Sequence, residues 1–161
     1  MNHEVGNVSL DRRCEGFRIG LERAGGTSEL LVVDLADPDD AEQRVKNALA
    51  RDPGIDGILA LGPSGAAPTL TAVAEVGRLG EIALATFDLS PEVMDALIDG
   101  SMLFAVDQQP YLQGYLPIVT LVNYLETLAL PGGGEVLKTG PGFVTGETAE
   151  RVRALTRQGV R

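Results

Sequence analysis

Apolar residues along this chain come in two rhythms. Short apolar runs occur at 30–35 (LLVVDL), within 55–61 (GILAL), at 82–87 (IALATF) and at 102–106 (MLFAV). They carry β-branched or aromatic residues and are bounded by turn formers, a pattern that predicts buried strands. Residues 2–8 read as the tail of another strand entering a polar loop. Between the runs the spacing becomes helical. Leu10, Cys14, Phe17 and Leu21 mark the buried face of a helix over 10–24, capped by Ser9 and closed by Gly25-Gly26. Gly16 and Gly20 beside that face are expected to bring the helix close to a sheet. Further helices are predicted from Asp37-Pro38 to about 51, over 67–78 after a GPSG loop, over 91–99, over 110–129 and over 147–157, with a short strand in 135–144.

Strands alternating with helices, and no Asn-Gly or Asp-Gly turn joining two strands, predict βαβ units. The expected fold class is α/β: a doubly wound parallel sheet in a three-layer αβα arrangement. One helix breaks the pattern. YLQGYLPIVTLVNYLETLAL is apolar nearly all round, so it expects neighbours on several sides. Pro117 should kink it or mark its true start.

Length and charge narrow the picture. The 161 residues suit a single domain with a real core. Thirteen basic against 23 acidic side chains give a net charge of −10, which argues against nucleic acid as a partner. Cys14 is the one cysteine, so no internal disulfide is expected, and it reads as a small core residue. The amino terminus MNHEVGNVSL has neither the basic start nor the apolar centre of a signal peptide. Expressed as written, the chain is expected to stay in the cytoplasm.

Catalytic and cofactor signatures are weak. With His3 as the one histidine, neither a metal site nor Ser-His-Asp catalysis is expected. GxSxG, the Walker loop and the GxGxxG fingerprint are missing, so no cofactor is expected. The strand ends are more informative. In a parallel sheet all carboxyl ends face one edge, where ligands bind. There the loops bring polar side chains such as His3, Glu4, Asn7, Ser9, Ser64, Asp88, Ser90, Asp107, Gln108 and Gln109, with Arg12 and Arg13 one turn into the first helix. A carboxylate, an arginine and planar amides can satisfy every hydroxyl of a polyhydroxylated ligand. Plainer roles compete. Asp88 also suits a helix cap ahead of Pro91, Arg13 a solvated charge, Gln108 a surface loop, and Glu4 with Asn7 a simple turn.

GFRIGL, IDGILALG, ATFDLSPEVMDALIDGSMLFAVDQQPYLQGY and GPGFVT together resemble the type I periplasmic sugar-binding proteins. These are solute receptors of ABC sugar importers of the ribose-binding and galactose-binding kind. The resemblance covers nearly the whole chain and is most specific at FDLSP and at the strand ending in DQQP. It implies a Rossmann-like lobe of the type I periplasmic-binding-protein fold and a non-catalytic role. A monosaccharide, pentose or hexose, would be held by Arg13, Asp88 and Gln108, with Asn7 and Glu4 as weaker ligand-binding candidates. Where the family often carries Asn-Asp, this chain has Gly62-Pro63. The resemblance further implies the carboxyl-terminal part only: a second lobe over 1–109 and 135–161, with 110–130 as a helix crossing to a first lobe. Permease subunits would be partners and the location extracytoplasmic. The uncovered apolar face of 110–129 is itself expected to drive self-association or partner binding.

Two rivals remain on the sequence. One is the ligand-sensing domain of a LacI-type regulator. The other is a small α/β enzyme or response-regulator domain, disfavoured because Gly62-Pro63 stands where a phosphoacceptor aspartate would be needed.

Overall fold

Asn7, not Ser9, starts the first helix. In the computed structural model, which describes residues 1–161 apart from the Pro38 side chain, Asn7 is extended and its side-chain oxygen accepts from the backbone N–H groups of Ser9 and Leu10. Helix α1 therefore spans Val8–Arg23. Asp37 caps α2 (Pro38–Arg51) in the same way, accepting from Asp39 and Asp40. The expected GPSG loop is instead the first turn of α3 (Pro63–Glu75). Pro63 falls at a position whose N–H has no helical partner, so the helix starts there at no cost. Ser90 caps α4 (Pro91–Asp99), and Gly100, in the left-handed region at φ 84°, ends it.

Three parallel strands form the centre: β1 (Gly57–Ala60), β2 (Ala83–Phe87) and β3 (Phe104–Asp107). The strand expected over 30–35 is reduced to one parallel bridge between Val32 and Asn2. The chain turns away directly after Asn2, where the Glu4 N–H donates to the Asn2 side chain, so the pairing is limited to Asn2, which donates to Leu31 and accepts from Val33 at 2.9 and 3.1 Å. On the other side of this segment, the Met1 nitrogen donates to the Leu59 carbonyl at 2.7 Å.

The sheet is mixed rather than wholly parallel. Strand β4 (Gly142–Thr145) runs antiparallel to β3, with Asp107 opposite Gly142 and Phe104 opposite Thr145. The chain leaves β3 at its carboxyl end through α5 (Pro110–Thr127) and a 3-10 turn at Pro131–Gly134. It returns to the same end, where Thr139 bonds the Gln108 carbonyl, so it can only run back across the sheet. Helix α6 (Gly146–Arg157) follows.

Side-chain alternation along the strands separates two faces. Ala60, Leu84, Ala105 and Val144 point toward α2, α3, α4 and α6, where Val45, Val73, Met94, Leu97 and Val152 complete the main core. Leu59, Leu61 and Ala85 point the other way, toward Leu10, with Cys14 and Phe17 partly buried beside them. A methyl added at Gly16 or Gly20 would meet nothing, so these two glycines are not points of close approach. They lie on the exposed side of α1.

Helix α5 stands apart. Pro117 lies inside it rather than at its start, and none of its side chains is buried among the described residues. Leu125 is 71% and Ile118 64% exposed. No described helix is long and apolar enough to cross a membrane.

Candidate functional site at the sheet's carboxyl edge

Three residues from three segments meet where β1, β2 and β3 end. Arg13 reaches there because α1 lies across the sheet with its second turn over the end of β1. Its Nη1 donates to the Leu61 carbonyl at 2.6 Å, and its guanidinium carbon sits 4.5 Å from the centre of the Phe87 ring. A planar cation fixed by a carbonyl on one edge and a ring on one face has little freedom left. The same Nη1 is 3.8 Å from Asp88 Oδ2.

Asp88 follows β2 in the left-handed region at φ 63°, a conformation Asp tolerates better than most residues. Its N–H donates to Val106 at 2.8 Å, so it stays tied to β3 beyond the last ladder pair. It does not cap α4; Ser90 does. Gln108 leaves β3 beside it and donates from Nε2 to both carboxylate oxygens, each at 2.7 Å. The Gln108 carbonyl is held in turn by Gln113 Nε2 at 2.9 Å and Thr139 Oγ1 at 3.0 Å.

The cluster is held together by contacts within the chain itself. Each carboxylate oxygen keeps a free lone pair, Gln108 keeps its amide oxygen, and Arg13 keeps several N–H donors. Arg13 is 15% and Asp88 28% exposed as side chains, so the charges are only partly desolvated. Such a set can accept from and donate to adjacent hydroxyls, with charge-assisted bonds to Arg13 and Asp88.

Glu4 and Asn7 are not joined to this cluster by any hydrogen bond among the described residues. Asn7 Nδ2 donates to Glu4 Oε2 at 3.0 Å while its oxygen caps α1, so the two make the local turn. His3 stands nearest to the side chain that Gly62 lacks, with Cε1 4.0 Å from the place a Cβ would occupy. Its Nδ1 is buried with no partner among the described residues.

A cavity of about 930 Å³ opens between the sheet edge and α5. Arg13, Phe87 and Gln108 line one side, and Leu116, Leu121 and Tyr124 of α5 the other, with Lys138 and Thr139 at the return of the chain. Asp88 is not part of that lining, although it bonds two residues that are. A smaller hollow of about 410 Å³ lies next to it, walled by Phe17, Phe87, Phe104 and Phe143 beside Arg12 and Arg13.

The sequence reading missed Phe87, Leu61 and Thr139. A carbonyl acceptor leaves no trace in sequence. Phe87, next to Asp88 at a strand end, was the readable signal.

Residues 1–128 match the family model described as periplasmic binding protein domain. The chain belongs to that family. Among solved structures, this periplasmic binding protein domain is similar to a carbohydrate transporter from Acidothermus cellulolyticus 11B in complex with myo-inositol. Identity is 32% and the TM-score 0.87, covering 99% of this chain and 54% of that one. A periplasmic ribose ABC transporter from Conexibacter woesei has the same fold at 24% identity and a TM-score of 0.84, with the same two coverages. Among curated relatives, the xylose/arabinose-binding protein XylF of Sulfolobus acidocaldarius is 40% identical over 72 residues, 44% of this chain and 17% of that protein. This periplasmic binding protein domain thus spans about half the length (54%) of the solved structures it matches. The mixed sheet with helices on both sides is the α/β arrangement of these proteins.

Proposed function

We propose that this chain is one lobe of a two-lobed receptor that captures a monosaccharide or cyclic polyol for an ABC importer, without chemical conversion of the ligand. The observation that carries the reading is the Arg13–Asp88–Gln108 cluster, brought together at the carboxyl edge of the sheet with polar valences to spare. Bound myo-inositol in the solved relative and the sugars named for the others support a polyhydroxylated ligand. In this reading residues 1–109 and 135–161 form the lobe and 110–130 cross to a companion lobe, whose permease partners and extracytoplasmic location follow from the family. Glu4 and Asn7 act on the ligand only through the start of α1.

One lobe leaves a sugar half enclosed, so the chain by itself binds weakly. Titration followed by NMR, with myo-inositol, D-xylose and D-ribose as probes, is expected to move the Gln108 side-chain amide and the Arg13 Nε signals at millimolar concentrations. Asp88→Asn should abolish the shifts. Shifts confined to other regions, or none with any probe, would remove the reading.

A further inference from the structure

The most deeply buried carboxylate of the chain lies beside the ligand cluster rather than in it. Asp107 precedes Gln108, and its side chain is 1% exposed. Both of its oxygens are engaged. Oδ1 accepts from the Gln109 N–H at 2.7 Å, and Oδ2 accepts from Arg161 Nε at 2.7 Å, a residue 54 positions away. Pairing with a cation offsets the cost of burying a carboxylate, and Arg161 is the cation placed there.

Arg161 is delivered there by the turn that ends α6. Gly159 takes a left-handed φ of 69°, and the N–H groups of Gly159 and Val160 close back on Thr156 and Leu155. The turn brings the chain to the β3–β4 edge. Gly140 packs tightly beneath it, since a Cβ there would stand 3.0 Å from the Asp107 carbonyl, whereas one at Gly142 would make only ordinary contact with Arg161 Nη2 at 3.8 Å.

Gln108 therefore sits between two fixed points. Asp107 on one side is held by Arg161. Gln109 on the other is held in the left-handed region, at φ 58°, by the same carboxylate. We propose that Arg161 is a positioning residue for ligand binding: through Asp107 it locks the turn that aims the Gln108 amide at Asp88. The role given to Gln108 rests on the proposed sugar reading; the lock itself does not.

The test uses the full chain with Arg161→Met, Arg161→Lys and the pair Arg161→Met with Asp107→Asn, which removes the buried charge but keeps an oxygen for the Gln109 N–H. Hydrogen exchange and side-chain amide signals are read by NMR. In Arg161→Met the Gln109 amide should exchange about tenfold faster or more, as loss of a charged hydrogen bond implies. The Gln108 side-chain signals should shift, while amides of β2 stay protected. Arg161→Lys should restore part of both. If Arg161→Met loses protection everywhere, the paired variant decides, with β2 protected and Gln109 still fast. Wild-type exchange at Gln109 and an unmoved Gln108 amide in either variant would overturn the proposal. A third arm adds myo-inositol. Weaker saturation in Arg161→Met supports the positioning role, and unchanged saturation overturns it. If wild type itself shows no shift with any sugar, the sugar reading fails while the exchange result still stands.

Discussion

Asp88 and Gln108 are 20 residues apart, yet the Gln108 amide touches both oxygens of the Asp88 carboxylate at 2.7 Å. The contact follows from strand order. β2 and β3 are parallel neighbours, and each ends one residue before the side chain concerned. The backbone bond from Asp88 to Val106 carries the pairing past the ladder.

This pairing separates the effects of one substitution on folding and on binding. Gln108→Ala leaves a partly solvated carboxylate that water and Arg13 can still serve. Its effect on folding should stay within about 1 kcal/mol. Sugar binding should fall about tenfold or more, because one amide contact to the ligand and the orientation of Asp88 are lost together. Chemical denaturation and NMR titration with myo-inositol, run on the same samples, check the two halves.

Much of the site was legible because it depends on strand ends, and strand ends are where apolar runs stop. Asp88 and Gln108 stand one and two residues beyond the runs 82–87 and 102–106. What stayed hidden depends on partners distant in sequence. The run LLVVDL has the composition of a strand, but Asn2 alone pairs with it before the chain turns away at Glu4. The reversal of β4 is set by where the chain returns after α5, not by its own residues. Asn7 reads as a ligand group or part of a turn and Ser9 as the cap, but the Asn7 side chain accepts from the Ser9 and Leu10 N–H groups and takes the cap position itself.

The glycines give opposite expectations that sequence alone does not separate. At Gly146 an added methyl would stand 2.9 Å from the Leu97 carbonyl of α4, a backbone atom that cannot swing aside. Gly146→Ala should push α6 off α4 and destabilise by about 1–3 kcal/mol, the usual range for overpacking. Gly16→Ala, in the open middle of α1, should instead stabilise by about 0.5–1 kcal/mol. Urea midpoints at unchanged slope would verify both signs.

Cys14 reports on the docking of α1. Burial pushes its thiol pKa up; Asp11 adds to this and the Met1 amino group opposes it. A raised folded value means that the unfolded chain ionises first. The contribution of this group to stability is complete below the ordinary thiol range and is lost as pH rises through the folded value. Iodoacetamide at neutral pH should label native Cys14 much more slowly than the urea-unfolded chain, and thermal stability should decline on the alkaline side. Equal labelling rates would show that α1 does not rest on the sheet as described.

Helix α5 carries the last expectation. Water is a poor solvent for a helix with Ile118, Val122 and Leu125 in line at spacings of four and three and all at least half exposed. Its other side, with Leu121 and Tyr124, lines the cavity. The chain alone should therefore self-associate through Ile118, Val122 and Leu125, since contiguous apolar patches of this kind bind each other when no other partner covers them. Sedimentation velocity should show a concentration-dependent species larger than 16.9 kDa. Ile118→Asp with Leu125→Asp should return it to monomer. Because these two side chains lie outside the cavity lining, the same variant should keep the Gln108 amide shift with myo-inositol. A wild-type chain that sediments as a clean monomer, with no binding of an apolar dye, would mean that α5 folds back on its own lobe and that its exposed face is not a docking surface.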